Sequence, residues 1–125
     1  MELTNYDLEY IHKVTGVEFE KIYDAFEANL VNKDLVFHFR LLKEVSYLFI
    51  SLVKDKYYLV EKVEFFENEP KEGLLRYLKE IVLKYLNSDF QLIEKKSIIN
   101  NKYGLKIMED GEWLVLSEPV KGEKF

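Results

Sequence analysis

A chain of 125 residues without cysteine is the size of one domain, and it can hold no disulfide, thiolate metal site or cysteine nucleophile. A net charge of −5, with lysines spread among the acids, disfavours a phosphate-backbone partner, which calls for clustered cations. An apolar fraction of 48% and an aromatic fraction of 15% exclude a disordered composition.

The first residues, Met1 to Asp7, lack the basic and apolar regions of a signal peptide. The most apolar stretch, 35–53, is broken by His38, Arg40, Lys43 and Glu44, too many charges for a membrane span. These features and the missing cysteines place the chain in the cytoplasm, with no membrane partner.

In chain order, Thr4 is a helix N-cap with Asp7 at the capping-box position, and Leu8, Ile11 and Val14 form one face before a stop at Gly16. Phe19, Ile22, Tyr23, Phe26 and Leu30 follow a helical stripe, so a second helix is expected, with a loop over 29–34. Between 35 and 53 two readings compete. Alternation of Leu35, Phe37, Phe39 and Leu41 suits a strand, whereas the lack of a turn former near Lys43-Glu44 suits a helix. The strand reading is adopted, because Lys54-Asp55-Lys56 separates two apolar runs; it gives strands at 35–42, 45–54 and 57–67.

Asn68-Glu69-Pro70 breaks the last of these, and Leu74, Leu75, Leu78, Ile81, Val82 and Tyr85 form a helical stripe ended by Asn87-Ser88-Asp89. Three strands follow: Phe90 to Ile99, Tyr103 to Glu109, and Glu112 to Ser117. Asp110-Gly111 is a strong signal for a type I′ hairpin. The expected fold is therefore α+β with order α-α-βββ-α-βββ, helices packed on antiparallel sheet, in one domain over 1–118, with a frayed tail over 119–125. In element order and charge this resembles small acidic secretion-chaperone domains, which dimerise. The same description fits immunity proteins and small inhibitors carried by mobile elements.

Few residues point to chemistry. His12 and His38 have no partner at a ligand spacing, and no G-x-S-x-G occurs. Glycines 16, 73, 104, 111 and 122 stand alone, so no phosphate-cradling loop is expected. The acids Glu61 and Glu64, and Glu67, Glu69 and Glu72, read as solvated rims. Catalytic, cofactor and metal residues are expected to be none, and the protein is not expected to be an enzyme.

Two nucleic-acid readings arise. A helix-turn-helix around Thr15-Gly16 would present Glu18, Glu20, Asp24 and Glu27 against Lys21 alone, so its charge is unfavourable. Lys95, Lys96, Lys102 and Lys106 lie near Phe90 and Tyr103, a mildly basic aromatic segment of the kind that stacks single strands.

Adjacent aromatics such as Tyr57-Tyr58 and Phe65-Phe66 must point to opposite sheet faces, so ring surface is in surplus. The leading expectation is a non-enzymatic protein-binding module: a chaperone, adaptor or inhibitor. Its surface would be Trp113 and Tyr103 framed by Glu109, Asp110 and Glu112, with the acids steering a basic partner and a homodimer as one arrangement. The alternatives are a nucleic-acid-associated regulator using the N-terminal helix pair, and a small enzyme or ligand binder.

Overall fold

The structure, a computed structural model, describes residues 3–43, 45–53, 55–65 and 70–124. Among these, helix α1 (Asn5–Thr15) precedes a five-stranded meander, β1 (Glu20–Ile22), β2 (Ala25–Asn32), β3 (Leu35–Leu41), β4 (Val45–Val53) and β5 (Lys56–Glu64). Helix α2 (Lys71–Asn87) then leads into a three-stranded meander, β6 (Phe90–Lys95), β7 (Lys102–Glu109) and β8 (Glu112–Val120). Every strand pairing is antiparallel.

The element order is α-βββββ-α-βββ, and the expected order α-α-βββ-α-βββ is wrong at its second helix. Residues 19–30 fold into the β1–β2 hairpin. Phe26 to Asn32 pairs residue for residue with Leu35 to Leu41. The inward side of β2 carries Ala28, Leu30 and Asn32, all buried, while Ile22 and Tyr23 of the supposed helical stripe are exposed. Tyr23 turns the chain with φ +56°, a strained value for a bulky residue, and Lys33 does the same at φ +54° in the next turn. A ladder along the whole of β2 outweighs both the helical spacing and that strain.

Two other expectations fall with that helix. The N-terminal helix pair does not exist, so no helix-turn-helix is available for a nucleic-acid regulator. The element-order resemblance to secretion chaperones lapses. The helical alternative over 35–53 is also excluded, because β3 and β4 pair across that stretch. The strand expected over 90–99 stops at Lys95, and residues 96–101 form a loop. The ends of two expected strands, at Lys54 and at Phe66 and Glu67, lie outside the described residues, as do Asn68, Glu69 and Phe125.

The helices form for readable reasons. Thr4 caps α1 reciprocally: its side chain accepts from the Asp7 N–H, and Asp7 accepts from the Thr4 N–H at 2.8 Å. Gly16 closes α1 in the left-handed region at φ +80°. Lys71 then bonds the same Asp7 carboxylate at 3.1 Å and ties the start of α2 to the start of α1. Burial pulls the Asp7 carboxyl upward, but the Thr4 bonds and the Lys71 charge together outweigh it and hold it below its ordinary value.

One core joins both helices and both sheets. Phe37, Phe39, Leu41, Leu30, Leu48 and Ile50 face inward from the larger sheet and meet Leu8 and Ile11 of α1, and Leu78, Ile81, Val82 and Tyr85 of α2. Phe90 of the smaller sheet stacks on Tyr85 at 5.3 Å and tilts against Phe37 at 5.1 Å. Buried Asn32 donates to the Tyr85 and Ser88 carbonyls at 3.0 and 2.8 Å, satisfying two acceptors at the C-terminus of α2. The sheets also meet along a seam: Ser117 Oγ donates to the Leu59 carbonyl at 3.3 Å, and Tyr57 and Glu123 exchange two backbone bonds of 2.8 Å.

Candidate functional site

The seam divides β8 into two halves. From Ser117 onward the strand lies beside β5, whereas Glu112 to Val115 runs free as the edge of the smaller sheet. On this free half Trp113 is 43% exposed, Leu114 43% and Val115 50%, so both faces of the strand are open. The Asp110-Gly111 turn has φ +50° and +80°, which sets Glu109 opposite Glu112 and Met108 opposite Trp113. In an antiparallel ladder hydrogen-bonded and non-hydrogen-bonded pairs alternate away from such a turn. The N–H and C=O groups of Trp113 and Val115 therefore point away from β7, outward from the edge.

Edge strands are ordinarily shielded by a lysine, a proline or a short length. The free half of β8 carries neither lysine nor proline; Pro119 lies beyond it, on the half that runs along the seam. What frames it is acid: Glu109, Asp110, Glu112 and Glu118 are all exposed. The edge offers apolar side chains, unpaired main-chain groups and a negative rim together.

Of the residues singled out in the sequence, Trp113, Glu109, Asp110 and Glu112 cluster at this hairpin, and Tyr103 does not join them. Tyr103 is the second residue of β7, at the far end of the sheet, and packs edge-on against buried Tyr58 with ring centroids 5.0 Å apart. Burial, and then the nearby Tyr103 phenol, hold Tyr58 above its ordinary value. Leu114 and Val115 went unnoticed; the signal for them was the run Trp113-Leu114-Val115 directly after a two-residue turn.

Several other strand aromatics pack within the chain, whereas Tyr6, Tyr10 and Tyr23 are exposed. Phe65 packs against Tyr77 at 5.8 Å, and Tyr57 lies between His38 at 5.2 Å and Phe49 at 6.3 Å. His38 also bonds Glu27 at 2.7 Å and Asn29 at 2.8 Å, so it anchors a polar network on the outer face of the larger sheet. His12 is exposed on α1. Among the described residues no group of His, Asp and Glu could hold a metal ion.

Two further features remain. Beneath the larger sheet, the Tyr85 hydroxyl donates to Glu61 at 2.8 Å. Burial, followed by the Glu61 charge, pushes the Tyr77 phenol up to about 12 and Tyr85 higher still, so neither phenol is suited to acid or base work near neutrality. At one end of the same sheet is an open cleft of about 650 Å³, with Leu41, Phe65, Leu74 and Leu78 among its walls and Lys21, Asp24 and Lys43 at its polar positions. It is large enough for a small apolar molecule.

Comparison of the chain with protein-family models, with curated proteins and with solved structures finds no match.

Proposed function

We propose that this chain is a non-enzymatic protein-binding module that receives a basic, extended segment of another protein as an added strand on β8. The observation that carries the reading is the free half of β8, apolar on both faces with its Trp113 and Val115 main-chain groups turned outward. Strand addition supplies affinity through main-chain bonds, and alternate side chains supply specificity. Glu109, Asp110, Glu112 and Glu118 select for positive charge and oppose pairing of two copies edge to edge. The surface differs from the one expected in the sequence by the loss of Tyr103 and the gain of Leu114, Val115 and Glu118.

Trp113 is the single tryptophan, so its emission reports on the site directly. Titration with an alternating lysine–valine peptide should shift that emission, and an alternating glutamate–valine peptide should not. Val115→Pro removes one outward N–H and should abolish the shift while the circular dichroism stays native, since that N–H takes no part in the β7–β8 ladder. Equal response to both peptides, or an undiminished response in the proline variant, would refute strand addition at this edge.

A further inference from the structure

The loop joining β6 to β7 is the most exposed apolar feature of the described chain. Ile98 is fully exposed and Ile99 85% exposed, side by side at its tip. Isolated apolar residues on a surface need no explanation, but adjacent isoleucines with almost no cover are a different matter. Ser97 and Asn101 restrain the loop through a bond from the Ser97 N–H to Asn101 Oδ1 at 3.4 Å, and residues 96–101 are all exposed.

Charge marks what the tip would meet. Residues 95–102 read Lys-Lys-Ser-Ile-Ile-Asn-Asn-Lys: three cations and no acid, in a chain whose net charge is −5. Glu94 precedes them on β6. Lys95 and Lys102 stand directly opposite each other where the strands enter the loop. Like charges in that register repel and are relieved by an anion between or below them. The stacking partners that a nucleic-acid strand would need are occupied elsewhere, Phe90 against Tyr85 and Tyr103 against Tyr58.

We infer that this loop is an anchor for an anionic membrane surface: Ile98 and Ile99 enter the boundary between headgroups and acyl chains, and Lys95, Lys96 and Lys102 lie among the phosphates and carboxylates. The arrangement combines an apolar insertion with a cationic cluster, the two signals that together hold a peripheral protein on a bilayer. It differs from a membrane span, and no helix among the described residues is long and apolar enough to be one. It also replaces the expectation of no membrane partner, which rested on the lack of a span.

The full chain should cosediment with phosphatidylcholine vesicles carrying about one-third phosphatidylserine, and not with phosphatidylcholine alone. Ile98→Ser with Ile99→Ser, and separately Lys95→Glu with Lys96→Glu, should each lower partitioning at least tenfold with unchanged melting, since every substituted side chain is exposed. A tryptophan moved into the loop (Ile98→Trp in a Trp113→Phe background) should shift to the blue on phosphatidylserine vesicles, while the native Trp113 should not. Equal binding to neutral vesicles, no binding to anionic vesicles in dilute salt, or a shift of Trp113 in place of the loop tryptophan would each overturn the assignment.

Discussion

Gly104 gives the sharpest test of how β8 is held. It lies on β7 where the register with β8 slips between Tyr103 and Leu105. A Cβ added there would run into the Ser117 carbonyl oxygen and lie 2.8 Å from both Glu118 C and Pro119 N. All three obstacles are backbone, so no side chain can swing aside. Gly104 has no positive φ, and in an unobstructed site alanine would therefore gain about 0.4–1 kcal/mol by restricting the unfolded chain. Overpacking costs about 1–3 kcal/mol, so the clash decides the sign. At roughly 4 °C per kcal/mol for a chain of this size, Gly104→Ala should melt several degrees below the parent. The seam should loosen with it, because the displaced residues 117–119 lead directly to the Glu123 pairing with Tyr57. Hydrogen exchange at the Tyr57 and Glu123 amides would report this. Gly73 is the control: it sits in α2 with nothing within 4 Å of an added Cβ, so Gly73→Ala should raise the midpoint. A Gly104→Ala protein melting at or above the parent, with Gly73→Ala behaving as stated, would refute the close crossing of β7 and β8.

Two pH-dependent effects follow from groups already described. The folded Asp7 carboxyl titrates below its ordinary value of 3.8, so its contribution to stability is present above that pH and is lost as pH falls through the lower folded value; Asp7→Asn should be less stable at neutral pH and show a smaller acid-induced loss in urea melts. Tyr77 runs the other way: raised from 10.0 to about 12, it stabilises the fold below pH 10 and ceases to do so as the pH approaches 12. Tyr77→Phe should therefore flatten the fall in melting temperature over that alkaline interval, and an unchanged slope would show that the phenol is not shielded.

The parts of this fold that announced themselves in the sequence have local causes. Thr4, Asp7 and Gly16 cap α1, Asp110-Gly111 supplies a residue pair that takes a type I′ turn cheaply, and the α2 stripe from Leu74 to Tyr85 has no competing period. The β1–β2 hairpin lacks such causes. Its inward side alternates Phe26, Ala28, Leu30 and Asn32, and a small residue and an amide carry no hydrophobic signal, so period two is hidden while Phe19, Ile22, Tyr23, Phe26 and Leu30 complete a 3.6 period. Asn32 is buried because it caps α2 more than fifty residues away. Its turn at Tyr23-Asp24 contains no glycine or asparagine. At the candidate edge Trp113 and the acids were readable as a hairpin, but the placing of Tyr103 depends on Tyr58, and the freedom of Glu112 to Val115 depends on β8 joining β5 only from Ser117. Ile98 and Ile99 were absorbed into a strand that alternation alone could not end.

The two surfaces proposed for the smaller sheet are opposite in sign, and β7 sets their separation. Its eight residues carry the chain from Lys102 beside the basic loop to Glu109 at the acidic hairpin, a distance of about 24 Å at roughly 3.4 Å per residue. A loop that enters the interface by about 5–10 Å would leave the hairpin well clear of the headgroups. Electrostatic interactions are screened beyond about 8 Å at physiological ionic strength, so Glu109, Asp110 and Glu112 would feel little repulsion from an anionic surface that Lys95, Lys96 and Lys102 touch. The basic loop residues and the acidic hairpin residues are thus segregated to opposite ends of the smaller sheet. The same segregation turns the open edge of β8 away from the bilayer, where an extended basic segment could reach it.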